Sequence, residues 1–244
     1  MLPTVLITRP EPANSLTVLA FEAAGFQTIA EPLIQIKYQT CEIILGENIR
    51  SYQAVLVTSG MAIRALAAQT TERAFLLMCV GRKSRQLARD LGFLYVVSPP
   101  SAVENAATFV RYIEGVLSPK NGPLLYCCGD FVQADISMLL KNQGFIVGTA
   151  IVYKGIEKTE LSPKALDFLR TNQGGWVTFY SPRTVDVFLK LCLCYNLAGS
   201  LSCFSTLSLS PKIEEKLDKT WWKNGIIAPT TELLIVNLKE QFEA

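Results

Sequence analysis

The sequence predicts an α/β protein: parallel sheets covered by helices on both faces, arranged as two similar units. Three observations carry this. Short apolar, β-rich runs alternate with helix-like stretches along the whole chain, as in repeated βα units. Hydrophobic residues make up 50% of the chain, enough to bury strands on both faces. The chain also repeats itself weakly. Gly25-Phe26 follows one helix and Gly144-Phe145 another, Thr58-Ser59 returns as Tyr180-Ser181, and Pro100-Ser101 returns as Pro229-Thr230. A length of 244 residues suits two units of about 120 residues each.

The first strand is read at Val5–Thr8, from its β-branched run. Ser15 is the expected N-cap of the next helix, whose Leu16, Leu19, Ala20 and Ala23 recur at helical spacing before Gly25. Phe26–Ile29 and Leu33–Ile36 are extended, and Lys37–Ser51 is a polar connector. Tyr52–Ser59 is a strand and Met61–Gln69 a helix. Phe75–Val80 is a strand, and Gly81 opens a helix to Leu91. Leu94–Val97 is a strand, and a helix from Ser101 or Ala102 runs to Leu117. Leu124–Cys127 is a strand, Cys128-Gly129-Asp130 a turn, and Val132–Asn142 a helix. Phe145–Tyr153 is extended, and Lys154–Leu161 is a second polar connector. Pro163–Arg170 is a helix, Trp176–Tyr180 a strand and Pro182–Tyr195 a helix. Leu201–Leu209 is a strand, Pro211–Leu217 a helix, Gly225–Ala228 a strand and Thr230–Phe242 the last helix.

Composition excludes several function classes. The formal net charge is only +2, and the Lys and Arg residues are scattered, so no basic stripe for nucleic acid exists. The opening MLPTVLITRPE has neither a basic nor a long apolar region of the kind a signal peptide needs. Val187–Leu197 is too short to span a bilayer and carries Lys190. A cytoplasmic protein with no membrane partner is expected. The seven cysteines show no C-x-x-C spacing and lie mostly in apolar runs, so they are read as reduced core thiols. Histidine is absent, which excludes Ser–His and Cys–His triads, His-ligated metals and a His base.

Small and hydroxyl residues recur where a strand meets a helix: Thr8-Arg9, Thr58-Ser59-Gly60, Gly81-Arg82, Cys128-Gly129-Asp130, Ser181-Pro182-Arg183 and Ser210-Pro211-Lys212. In a parallel sheet these turns lie at the carboxyl ends of the strands, the usual ligand edge, and their backbone N–H groups favour anions. G-x-x-x-x-G-K-[ST], G-x-G-x-x-G and G-x-S-x-G are all missing, which counts against a nucleotide-dependent enzyme and a serine hydrolase. Several short anion-friendly loops suit a ligand with several carboxylates.

VLITRPEPANSLTVLAFEAAGF, VTSGMAI, VGRKSRQLARDLGF, LYCCGDFVQADISMLLKNQGF, VYKG, FYSPRTV and IAPTTELL together resemble the uroporphyrinogen-III synthase family, from about Val5 to Phe242 and in the family's order. The resemblance implies two flavodoxin-like parallel-sheet domains joined by a two-stranded hinge, the first βαβ unit packing with the C-terminal part. Domain one is then 1–36 plus 158–244 and domain two 39–152, with the hinge near 36–39 and 152–158. The repeat by itself suggests a cut near Ser118 instead.

The resemblance also implies the reaction. Hydroxymethylbilane, a linear tetrapyrrole with eight carboxylates, is closed to uroporphyrinogen III with loss of water and inversion of ring D, through a proposed spiro intermediate. No metal or cofactor is implied. The implied partners are this substrate and, transiently, the preceding pathway enzyme; the implied state is a monomer. Spontaneous closure gives the uninverted isomer, so the protein's task is to hold one folded conformer and to help the hydroxyl depart. Tyr153 of VYKG matches the family's cleft tyrosine and is the candidate catalytic donor. Thr58, Ser59 and Ser181 match the hydroxyl turns that hold carboxylates. Their structural role as helix N-caps is compatible with that. Gly60, Gly81, Gly129 and Ser210 belong to the same turns, and Arg9, Arg82 and Arg183 stand beside them as carboxylate partners or solvated charges. Tyr180 is expected to pack beside its strand.

The chain departs from the family where many members carry a small-Gly-Pro-Thr-Thr turn. Here Leu209-Ser210-Pro211-Lys212-Ile213 stands, and Lys212 offers a positive charge in place of two hydroxyls. The competing reading is a non-catalytic two-domain binding or regulatory protein for an anionic metabolite. No DNA-binding helix with a basic face accompanies it.

Overall fold

The computed structural model describes residues 2–44, 47–100, 105–131, 135–171 and 173–243. In chain order the elements are β1 (Thr4–Ile7), α1 (Ala13–Ala23), β2 (Gln27–Ala30), β3 (Ile34–Tyr38), β4 (Ala54–Val57), α2 (Gly60–Gln69), β5 (Leu76–Cys79) and α3 (Arg82–Asp90). Next come β6 (Tyr95–Val97), α4 (Ala106–Val116), β7 (Leu124–Gly129), α5 (Ile136–Asn142), β8 (Val147–Glu157) and α6 (Pro163–Arg170). The chain ends with β9 (Gly175–Phe179), α7 (Pro182–Cys194), β10 (Phe204–Ser208), α8 (Pro211–Glu214), β11 (Gly225–Ile227) and α9 (Thr231–Glu243). These elements form two compact units. One comprises Met1–Gln35 and Ile156–Ala244, the other Ile36–Gly155, so β3 and β8 both run across the division.

In the first unit the sheet order is β11-β10-β9-β1-β2, and its paired strands are parallel. Alternate residues of each strand enter opposite cores, as the pleat requires. Leu6, Val177 and Phe179 pack with Val185, Phe188 and Trp222 on one face. Val5, Ile7 and Trp176 pack with Phe21, Leu234 and Leu238 on the other. The second unit has the order β3-β8-β7-β4-β5-β6. Val55, Val57, Leu77 and Cys127 lie on one face, and Ala54, Leu56, Met78, Tyr126 and Cys128 on the other. Strands buried on both faces explain the continuous apolar runs that marked them in the sequence.

The glycines that punctuate the repeat have a conformational reason. Gly25 and Gly144 follow α1 and α5 at φ 93° and 84°, where a side chain would be strained.

Four local expectations are corrected. Ser15 does not cap α1. The helix begins at Ala13 after Pro12, and the Ser15 hydroxyl instead donates to the Glu11 carboxylate at 2.9 Å. Lys154–Glu157 is no connector but the end of β8, an 11-residue strand. Its polar residues misled because this end of the strand is largely solvent-facing: Gly155 is buried, while Lys154, Ile156 and Glu157 are exposed. Strand β7 likewise runs on through Cys128 and Gly129, and α8 stops at Glu214 rather than Leu217. The expected helix starts at Ser101 or Ala102 and at Val132 lie outside the described residues.

The cysteines are all free. Cys79, Cys127, Cys128 and Cys192 are buried, Cys41 and Cys203 are half-buried and Cys194 is exposed. Among the described residues no helix is long and apolar enough to cross a membrane.

Candidate active site

In the second unit, the parallel pairing of β5, β4, β7 and β8 brings their carboxyl ends to one edge. Ser59 follows β4 and caps α2, its Oγ accepting from Ala62 N at 3.1 Å. The same Oγ lies 3.2 Å from Tyr153 Oη, so one hydroxyl ends a helix and touches the expected donor. Burial pushes the Tyr153 phenol above its ordinary range, the Ser59 hydrogen bond partly opposes this, and Cys128 and Asp130 add to the rise. The phenol is therefore a protonated donor at neutral pH. Gly129 sits beside Tyr153 in the β7–β8 register.

Thr58 does not join this pair. Its Oγ1 is 3.1 Å from Tyr126 Oη, and the Tyr126 phenol is pushed up to about 12 by burial, less a contribution from Thr58. Gly60, the first residue of α2, is explained by packing: a Cβ there would stand 3.1 Å from Leu87 Cδ2 of α3. Gly81 is the buried N-cap of α3 with extended backbone, and Arg82 is the exposed first residue of that helix.

In the first unit, β9, β1 and β10 end in the same sense. Ser181 caps α7, accepting from Thr184 N at 3.2 Å, and its Oγ is 2.8 Å from Thr184 Oγ1. Arg9 is held over the Tyr180 ring at 4.1 Å and donates to Thr17 Oγ1 at 3.2 Å. Tyr180 thus packs beside its strand as expected, with a cation on its face and Thr231 donating to its Oη at 3.3 Å. Arg183 pairs with Glu157 at 3.1 Å. Ser210 stands at the N-cap of α8 without a side-chain cap bond, and Lys212 is exposed on that short helix. On the same helix, Glu214 accepts from Ser208 Oγ at 2.7 Å, so a carboxylate accompanies Lys212 in this half-site.

The buried thiols offer no nucleophile. Burial pushes Cys79 and Cys192 up to about 12 and, with a smaller contribution from Asp135, Cys128 to about 11, so they stay protonated. No group of three or more metal-ligating side chains is assembled among the described residues.

Sequence reasoning missed Tyr126, Asp130 and the Arg9–Tyr180 stack. Tyr126 carried one signal, a phenol inside an otherwise apolar strand. Its partner Thr58 depends on the β4–β7 register, which sets Leu56 beside Tyr126 and is not written in either segment.

Two parallel-sheet α/β units whose carboxyl edges carry hydroxyls and phenols define a two-unit α/β protein. The uroporphyrinogen-III synthetase of Helicobacter pylori 26695 shares the fold, with a TM-score of 0.66 at 15% identity over 99% of this chain and 100% of that one. A mutant uroporphyrinogen III synthase from the extremely thermophilic bacterium Thermus thermophilus also shares it, with a TM-score of 0.60 at 11% identity over 100% of this chain and 99% of that one. No curated protein matches the chain by sequence. The family described as uroporphyrinogen-III synthase HemD matches residues 15–235. The chain belongs to the uroporphyrinogen-III synthase family, whose members are cyclising lyases of tetrapyrrole biosynthesis.

Proposed function

We propose that this chain closes hydroxymethylbilane to uroporphyrinogen III with the Tyr153 phenol as donor to the departing hydroxyl. The observation that carries this reading is the Tyr153–Ser59 pair, a half-buried, protonated phenol at the carboxyl edge of its sheet. Ser59 Oγ accepts from Ala62 N and can give its own proton to Tyr153 Oη. The phenol O–H then remains for substrate. As the C–O bond breaks, the oxygen leaves as water with a proton from the donor. The C–H proton lost when the ring closes returns to the donor, so the balance is one water released.

The remaining assignments concern the carboxylates. Thr58, Ser59, Gly60, Gly81 and Arg82 of one unit would hold some of them. Arg9, Ser181, Arg183, Ser210 and Lys212 of the other would hold the rest, through hydroxyls, first-turn N–H groups and cations. Support comes from Ser59 and Ser181, each the N-cap of a helix at the carboxyl edge of its sheet, where the helix dipole favours anions. The two compact units would be the family's domains, with β3 and β8 as the hinge, in a monomeric cytoplasmic protein that meets the preceding pathway enzyme only transiently.

The test uses purified protein and enzymatically generated hydroxymethylbilane, followed by oxidation and separation of isomers. Type III product formed faster than spontaneous type I is the expected result. Type I alone, at the spontaneous rate, overturns the reading.

A further inference from the structure

We infer that Gly129 and Asp130 form a positioning element for Tyr153, the glycine being there to make room for the phenol ring rather than to touch substrate. This rests on the reading of Tyr153 as the donor. Strands β7 and β8 keep one register from Leu124 beside Val147 to Cys128 beside Ile151, and then it slips so that Gly129 meets Tyr153. Such a bulge re-aims a side chain. A Cβ on Gly129 would lie 2.5 Å from Tyr153 Cζ, 2.6 Å from Cε2 and 2.8 Å from Oη. The reactive end of the ring therefore occupies the space a methyl group would need. Asp130 holds the backbone that leaves that ring on its C-terminal side. Its N–H donates to Tyr153 O at 3.1 Å, and its Oδ1 accepts from Gly155 N at 3.1 Å.

With Ser59 at 3.2 Å on Oη, the ring is confined by a bare backbone, a carboxylate turn and a hydroxyl. Carbon atoms settle at about 3.5–4.0 Å, so any side chain at position 129 moves Cζ and Oη by roughly 1 Å. A misplacement of that size costs up to about 10²-fold in rate.

The experiment compares Gly129→Ala, Tyr153→Phe and their combination in the isomer-resolved assay. Gly129→Ala is expected to lower kcat for type III product by about 10- to 100-fold while KM changes less than about threefold. Added to Tyr153→Phe, it should cause no further loss, because the group it misplaces is already gone. Asp130→Ala should also lower kcat, and Asp130→Asn, which keeps the acceptor for Gly155 N, should restore most of it. This pair carries the test if Gly129→Ala fails to fold. A parental kcat in Gly129→Ala, additive losses in the double variant, or a loss confined to KM each overturn the inference.

Parental kcat in Tyr153→Phe overturns the donor reading instead. The positioning claim is then decided by the ultraviolet titration of Tyr153, read as the difference between each protein and its Tyr153→Phe partner. A titration moved toward its ordinary value in Gly129→Ala supports displacement of the ring, and an unmoved one overturns it.

Discussion

Ser59 and Ser181 do the same local work and differ in what they touch. Each caps a helix through its Oγ, which satisfies one of the donors a helix start leaves unpaired. Only Ser59 reaches a phenol, because β4 and β8 flank β7 and bring Tyr153 within 3.2 Å. The sequence showed both serines as helix caps with equal clarity, since a cap needs only local residues. The phenol partner lies 94 residues away, and no local pattern reports it. At this scale the pH dependence of turnover is the informative measurement. The active form of Tyr153 is the protonated one, and burial raises its pKa above 10.0. The contribution of Tyr153 to kcat should therefore stay level up to about pH 9 and fall only in more alkaline solution. The check is kcat for type III product at successive pH values in parent and Tyr153→Phe. A basic limb below about pH 9 that survives in Tyr153→Phe belongs to another group.

At the scale of elements, the chain between α2 and β5 shows how a single side chain closes two helices. The Arg73 guanidinium donates to the carbonyls of Ala67 at 2.9 Å, Glu72 at 3.0 Å and Leu91 at 3.2 Å, and also to that of Thr70. It lies 4.7 Å from the centre of the Phe93 ring. Ala67 belongs to the last turn of α2 and Leu91 is the C-cap of α3, so a fixed cation sits at two helix C-termini. Arg73→Ala is expected to cost about 2–4 kcal/mol by leaving these carbonyls unpaired. Arg73→Lys should recover less than about half, because one ammonium cannot fan out to four acceptors. Urea unfolding followed by far-UV circular dichroism measures both; a loss under about 0.5 kcal/mol in Arg73→Ala contradicts the account. Nothing in the polar run Thr70-Thr71-Glu72-Arg73 announces this role. The same holds for Glu31, a fully buried carboxylate that pairs with Lys158 at 2.6 Å and accepts from Ser162 N at 3.2 Å. Helix and strand identity was legible because it follows periodicity, whereas long-range caps and buried pairs follow tertiary contacts.

The molecule as a whole keeps its buried thiols and the Tyr126 phenol neutral, and this sets its alkaline limit. Burial holds the Cys79 thiol at about 12 against 9.0 for a free thiol, and Cys192 likewise. Cys128 stands at about 11, and Tyr126 at about 12 against 10.0 for a free phenol. The folded state binds these protons more tightly than the unfolded one. Their stabilising contribution is therefore complete below about pH 9 and is lost as pH rises toward about 12. The urea midpoint should stay constant between about pH 7 and 8.5 and fall steadily from about 9 to 11. A midpoint that holds level to about pH 11 contradicts the neutral-core account.

The alternation of strands and helices, the Ser59 and Ser181 caps, the glycine helix ends and the family were all legible in the sequence. All of these depend on neighbours within a few residues or on motif order along the chain. Strand pairing sets the run of β8 through Glu157, the meeting of Thr58 with Tyr126 rather than Tyr153, and the place of the Tyr153 ring where a Gly129 side chain would stand. The reason is register. Parallel strands are paired across long connections, and a slip of one residue exchanges which side chains meet.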